Sequence, residues 1–242
     1  MKSRLKTLPV VVVALAASAS SVRAESYMID TSHTSIIFGV SHLKYSFTYG
    51  RFNKMRGSYV LDRADPAASK FQIIIDAASL DTNDDKRDMH LRSPDFFNTN
   101  EFPVISFQST GVSLENTDKG EVYNITGNMT MHGTTRQVMI PLRKLGEGKG
   151  PYGKYRTGFY GDQRINRSEY GMTNMIDMIG DEVAVTISFE GIRQNTPEGS
   201  SSATTAVPTP AGPTPAGSGT NPGSDQKAGS DTNSGSAGSE TR

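Results

Sequence analysis

Cysteine is absent from all 242 residues, which removes disulfide staples, thiolate metal ligands, a cysteine nucleophile and a lipid-modified cysteine. Stability must come from the core alone. Charge of one sign is not in excess either: 25 Lys and Arg balance 25 Asp and Glu, so no global field steers the chain toward phosphate backbones. Nucleic-acid binding is not expected. Long apolar runs are missing too. The run Leu8 to Ala17 is far short of the roughly 20 residues that a spanning helix needs, and nothing after residue 24 is long enough. Flanked by Lys2, Arg4 and Lys6 on one side and Val22-Arg23-Ala24 on the other, that run reads as a secretory signal peptide over residues 1–24. A periplasmic or secreted protein is expected.

The motifs of common enzymes are also missing. There is no G-x-S-x-G elbow and no H-E-x-x-H pair, and Gly146-Glu-Gly-Lys-Gly150 lacks the Gly-Lys-Ser/Thr ending of a phosphate loop. That glycine segment reads as a hairpin loop. Asp81-Thr-Asn83-Asp84-Asp85 opens like a calcium loop, but the sixth position is Lys86 instead of Gly and the twelfth is Arg92 instead of Glu. A solvated helix start, capped by Asp84 or Asp85, is the better reading. The paired carboxylates Asp84-Asp85 and Asp181-Glu182 sit in charged, turn-like segments, and the four histidines are dispersed. No metal, cofactor or catalytic residue is expected.

What the chain does have is period-two alternation. Ile36, Phe38 and Val40 share one face against Ser35, Ile37, Gly39 and Ser41, and Val183, Val185, Ile187 and Phe189 repeat the pattern near the end. Phe71 to Ile75, Phe102 to Phe107, Tyr123 to Met131, Val138 to Leu142 and Tyr155 to Ile165 alternate as well, with Pro103 marking a sheet edge or the start of a strand. Only Asp81 to Asn98 breaks the rhythm, as one or two short helices. Many antiparallel strands with one helical interruption predict an all-β barrel of about eight strands, over residues 25–196. Its interior is either a ligand-holding lumen or a solid core. His42 falls on the Ile36 face, as a satisfied rim residue or as a polar contact for a ligand headgroup. Met172, Met175 and Met178 form an adaptable lid or fill core gaps. Residues 197–242 are rich in Ser, Thr, Ala, Gly and Pro, with a tandem Pro-Thr-Pro-Ala-Gly from Pro208, and are expected to be a disordered tail.

Three blocks resemble the YceI-like family of exported polyisoprenoid-binding proteins. The first is Asp30-Thr-Ser-His33 through Ile36, Phe38, Val40 and His42-Leu43 to Gly50-Arg-Phe52 and Gly57. The second runs from Asp81-Thr-Asn83 through Arg87 to Phe97 and on to Thr110; the third spans Ile125 to Arg136, Gly158-Phe159 and Ile165 to Met172. The resemblance implies an extended antiparallel lipocalin-like barrel with a long apolar lumen for a polyprenyl chain or quinone tail, and no enzymatic activity. Carried over by position, it places Ile36, Phe38, Val40, His42, Phe159 and Met172 on the lumen side. The expected ligand is a small hydrophobic isoprenoid lipid or quinone. A fatty-acid or fatty-amide carrier, an enzyme acting on such lipids and an adhesive module acting through its tail are the rivals. Transient membrane contact and a homodimer are both compatible with the chain.

Overall fold

Alternating inward apolar side chains build ten strands in the computed structural model, which describes residues 24–195; the expected signal peptide and the expected disordered tail fall outside the described residues, apart from Ala24. The strands are β1 (Glu25–His42), β2 (Ser46–Phe52), β3 (Met55–Leu61), β4 (Lys70–Asp76), β5 (Leu80–Asp81), β6 (Val104–Thr117), β7 (Gly120–Met131), β8 (Thr134–Lys149), β9 (Tyr155–Asn166) and β10 (Ile179–Arg193). One α-helix, α1 (Asp85–Arg92), lies between β5 and β6. The sheet order is β10-β9-β8-β7-β6-β4-β3-β1-β2-β5, and β10 also pairs with β1. That last pairing closes an antiparallel barrel of eight strands. Closure leaves the barrel proper without free edges.

β1 governs the shape. On one side it pairs with β10 from Tyr27↔Arg193 to His42↔Ile179. On the other side its partner changes: Glu25–Met28 faces β3, whereas Ile36–His42 faces β2. Between the two stretches Asp30 to His33 bulge outward opposite Glu190, since Ile29 pairs with Gly191 and Thr34 with Phe189. At Asn53-Lys54 the β2–β3 strand breaks in step. There the sheet splays, because β5 follows β2 while β4 stays with β3 and β6.

The helix covers the resulting gap. Asp84 caps it by accepting from the Arg87 amide at 2.9 Å. Buried Asp88 accepts from the amide and the hydroxyl of Thr82 at 2.9 and 2.5 Å, and Arg92 donates to the carbonyls of Ala78 and Leu80 at 2.8 and 2.5 Å. Polar bonds thus tie a hydrophilic helix to the sheet. Within the calcium-like sequence Asp84 serves as the helix cap, and Asp81 accepts from the Asn83 amide at 2.9 Å. Two readings of turns need correction. Gly146 to Lys149 continue β8, and the turn comes at Gly150–Lys154; Asp181 and Glu182 lie within β10.

The barrel half nearest Glu25 and Arg193 is solid. Tyr27 stacks on Tyr59 at 4.9 Å and Tyr59 on Phe71 at 5.3 Å, and Phe159 meets Tyr59, Phe71 and Tyr123 edge-on at 5.6, 6.0 and 5.6 Å. Phe189 completes the group. Gly191 is required here, because a Cβ would stand 1.9 Å from the Tyr59 hydroxyl. Around this end Arg63 pairs with Glu147 and Glu25, Lys144 with Glu121 and Glu147, and Arg193 with Glu25. Removing the central ring opens a cavity that rigid neighbours cannot fill. Phe159→Ala is expected to lower unfolding free energy by about 3–5 kcal/mol in a denaturant titration; a loss below about 1 kcal/mol would mean that the rings repack.

Candidate ligand cavity

At the other end, where β1 finishes at His42 and β10 begins at Ile179, the interior is not filled. A cavity of about 100 Å³ lies between Phe38, Val40 and Phe52 of the first two strands, Ile165 of β9, and Val183 and Val185 of β10. Leu91 from α1 and Phe96 and Phe97 after it form one cover, and Met172 and Ile179 form another. Each side chain arrives by the alternation of its strand: Phe38 and Val40 are two apart on β1, and Val183 and Val185 are two apart on β10. The Phe38 ring leans over Gly50, where a Cβ would be 2.4 Å from it, and tilts against Phe52 at 5.5 Å. Phe52 in turn meets Phe97 edge-on at 5.7 Å. The wall is a set of apolar and aromatic surfaces, smaller in volume than the roughly 300–1,000 Å³ of a drug-sized pocket.

Arg167 is the one charged residue in this wall. It is only 5 % exposed, and its guanidinium donates to the carbonyls of Met172, Asn174, Ile179 and Gly180 at 2.7–3.0 Å. Burial lowers its pKa. Its donors face the backbone of the Met172–Gly180 segment, so the side chain pins that segment as a wall. Ser168 reinforces the pin, with its amide and hydroxyl both donating to the Asp181 carboxylate at 2.9 and 2.8 Å. Tyr170, buried among Met131, Met172 and Ile105, has its hydroxyl pKa pushed up to about 12 by burial.

Comparison with known proteins fits this architecture. The YceI-like domain profile matches residues 27–191. A UPF0312 protein of Azotobacter vinelandii is 40% identical over 178 residues, covering 73% of this chain and 91% of its own length, and a UPF0312 protein of Photorhabdus laumondii is 40% identical over 183 residues, covering 75% and 93%. The chain belongs to the YceI-like family. Among solved structures, Burkholderia cenocepacia BcnA superposes with a TM-score of 0.60 at 23% identity over 67% of this chain and 98% of that one. The YceI protein of Campylobacter jejuni gives 0.56 at 25% over 64% and 90%. A domain of Saccharophagus degradans described as polyisoprenoid-binding gives 0.53 at 17% over 69% and 98%.

Within this YceI-like barrel, Phe38, Val40 and Met172 line the cavity. Ile36 and Phe159 are not among its lining residues: Phe159 is fully buried at the centre of the packed rings, and Ile36, just past the bulge, joins the same core cluster. Stacked aromatic rings occupy the end through which the expected long lumen would run, and the cavity lies at the other end. His42 stands exposed at the end of β1, opposite Ile179. The methionines divide, with Met172 buried and Met175 and Met178 exposed by 37 % and 42 %. Alternation could have flagged Arg167, since Ile165 and Arg167 lie two apart at the end of β9 and a charge on an inward face calls for a reason. Phe97 and Leu91 carried no such signal, because a loop and a polar helix place them.

A second groove, about 720 Å³ and open, runs outside the barrel along the β1 bulge, past His33, Glu147, Arg156 and Glu190. Its ligating atoms from Asp30, His33 and Glu190 lie within 4.8 Å of one another, a spacing that suits a metal ion. Arg156 already occupies the position between the carboxylates, donating to Asp30 at 2.6 Å and Glu190 at 2.7 Å, while His33 lies 2.9 Å from Asp30. An ion-pair cluster describes this site better than a metal centre. Arg156 first, then His33, holds the Asp30 carboxyl well below the usual carboxylate range. A lowered folded-state pKa stabilises the fold fully above the unfolded value near 4, and the gain is lost as pH falls through the folded value. Asp30→Asn should therefore cost about 1.5–3 kcal/mol at pH 6, and its deficit relative to wild type should shrink as pH drops below about 4. Chemical denaturation across that range measures it, and a deficit that grows in acid would contradict the ion-pair assignment.

Proposed function

We propose that this YceI-like protein is an exported carrier that holds the chain of an isoprenoid amphiphile, a polyprenyl lipid or isoprenoid quinone, in the cavity at the open end. The observation that carries the reading is the cavity wall of Phe38, Val40, Phe52, Phe97, Val183 and Val185, which presents carbon surface inside a closed barrel, while Arg167, the one charged wall residue, gives its donors to backbone carbonyls. Burying a methylene stabilises by about 0.8 kcal/mol, so a few isoprene units are held by apolar area alone, with no charged anchor. Binding, and not chemistry, is what such a wall does. The polyisoprenoid-binding description of the Saccharophagus degradans domain supports the same ligand class. A chain of several units exceeds about 100 Å³, so loading moves a cover outward. Met172 and the Phe96-Phe97 turn are the movable parts, methionine because its unbranched side chain repacks at little cost. Carriage in the periplasm or outside the cell is the part of the proposal that rests on reading residues 1–24 as a secretory signal peptide.

Isolation of the protein without detergent, followed by solvent extraction and mass spectrometry, tests the proposal against a Phe38→Arg variant whose fold is checked by circular dichroism. A polyprenyl or quinone species at near-stoichiometric yield, lost from the folded variant, is the expected result. A wild type that emerges empty, or with phospholipid at the variant's level, would overturn it. A straight-chain acid or amide in the same amount would move the cargo to fatty chains.

A further inference from the structure

The open end carries a crown of exposed apolar side chains. At the β1–β2 turn Leu43 is 40 % exposed and Tyr45 89 %, and on the outer face of β2 Phe47 and Tyr49 are 64 % and 65 % exposed. Ile37 of β1 extends that face. A second loop completes the crown: Ile176 and Met178 are 40 % and 42 % exposed, and the Leu43 amide donates to the Met178 carbonyl at 2.7 Å. Scattered apolar residues need no explanation, but two loops bonded together and both bare are a surface.

We infer that this crown is a bilayer-contact surface, which seats the open end of the barrel in the headgroup region of a phospholipid membrane. Three observations favour a bilayer over other occupants. The crown is continuous with the cavity: Leu43 lies three residues beyond Val40, and Met178 precedes Ile179, both of which line it. The described chain begins at Ala24 before β1 and ends just after β10, where the Gln194 amide bonds the Ser26 carbonyl, so both described ends lie at the filled end, away from the crown. The composition also suits an interface. Tyr45 and Tyr49 pair an apolar ring with a polar hydroxyl, as side chains at the headgroup level do, and Lys44 stands exposed at the turn tip with no ion pair among the described residues. Leu43 and Lys44 adopt φ of 52° and 61°, which fixes the turn that projects them. The inference extends the carrier reading by giving the cargo a route to and from a membrane, while the contact itself does not depend on which cargo is bound.

The absence of tryptophan gives a clean test. Tyr45 and Tyr152 are almost equally exposed, at 89 % and 90 %, and lie at opposite ends, since Tyr152 sits in the β8–β9 turn beside the end of β10. Tyr45→Trp and Tyr152→Trp each introduce a single tryptophan, excited selectively over the remaining tyrosines and titrated with vesicles of phosphatidylethanolamine and phosphatidylglycerol, plain or with brominated acyl chains. The inference predicts a blue shift and bromine quenching for Tyr45→Trp and neither for Tyr152→Trp, with the crown reaching about 5–10 Å into the headgroup and acyl boundary. Equal responses at both ends, or none, would overturn it. So would a Tyr45→Trp blue shift that grows with protein concentration in the absence of vesicles, which would assign the crown to a second copy of the chain. An empty protein in the extraction experiment with a positive vesicle result here would remove the carrier reading and leave the membrane contact standing.

Discussion

The pairing of β1 with β10 along nearly the whole of both strands is the constraint on which the rest of the molecule depends. Closure forces the inward faces of eight strands onto one axis, and the bulge at Asp30 to His33 divides that axis in two. On the terminal side β1 keeps β3 as its neighbour and the barrel is narrow enough for stacked rings to fill. On the other side β2 replaces β3, the sheet parts from β4 and β6, and a helix and two loops must cover what strands do not. Strand register thus separates a packed half from a hollow one.

This division also separates stability from binding. The Tyr27, Tyr59, Phe71, Phe159 cluster and the surrounding Arg63, Glu147 and Lys144 network anchor one end, and neither needs a ligand to be complete. The hollow end is held by polar bonds that span loops: Asp88 to Thr82, Arg92 to the carbonyls of Ala78 and Leu80, and Arg167 to the backbone of Met172 to Gly180. Such bonds fix the covers at their bases. Between those bases lie the methionine and phenylalanine side chains that a ligand would displace. A barrel built in this way can loosen one end without losing the other.

Much of this was legible in the sequence because strands write their burial as alternation. Phe38 and Val40, or Val183 and Val185, are inward in the chain text and inward in the barrel. A barrel of about eight strands, interrupted by one or two short helices, followed from the same pattern together with the family resemblance, and the structure has eight barrel strands and one α-helix. Depth along the barrel was not legible. Alternation assigns a face and is silent on position along the axis, so Ile36 and Phe159 read like Phe38 yet sit among the packed rings. Covers formed by irregular backbone, such as Phe96 and Phe97, carried no period at all. Gly146 to Lys149 misled in the other direction, since glycine there extends a strand over an open surface instead of turning the chain.

The central claim is that ligand occupies the hollow half while the aromatic half stays closed. Isotope-filtered NMR of the protein with bound geranylgeraniol, its methyl groups assigned, tests this directly. Contacts from the isoprenoid chain to Ile165, Val183 and Val185, with the Phe71 and Phe159 ring signals unchanged from the free protein, are the predicted result. Chain contacts to those rings, or a shift of Tyr59 and Phe159 on loading, would show a ligand threading the whole barrel and would contradict the account.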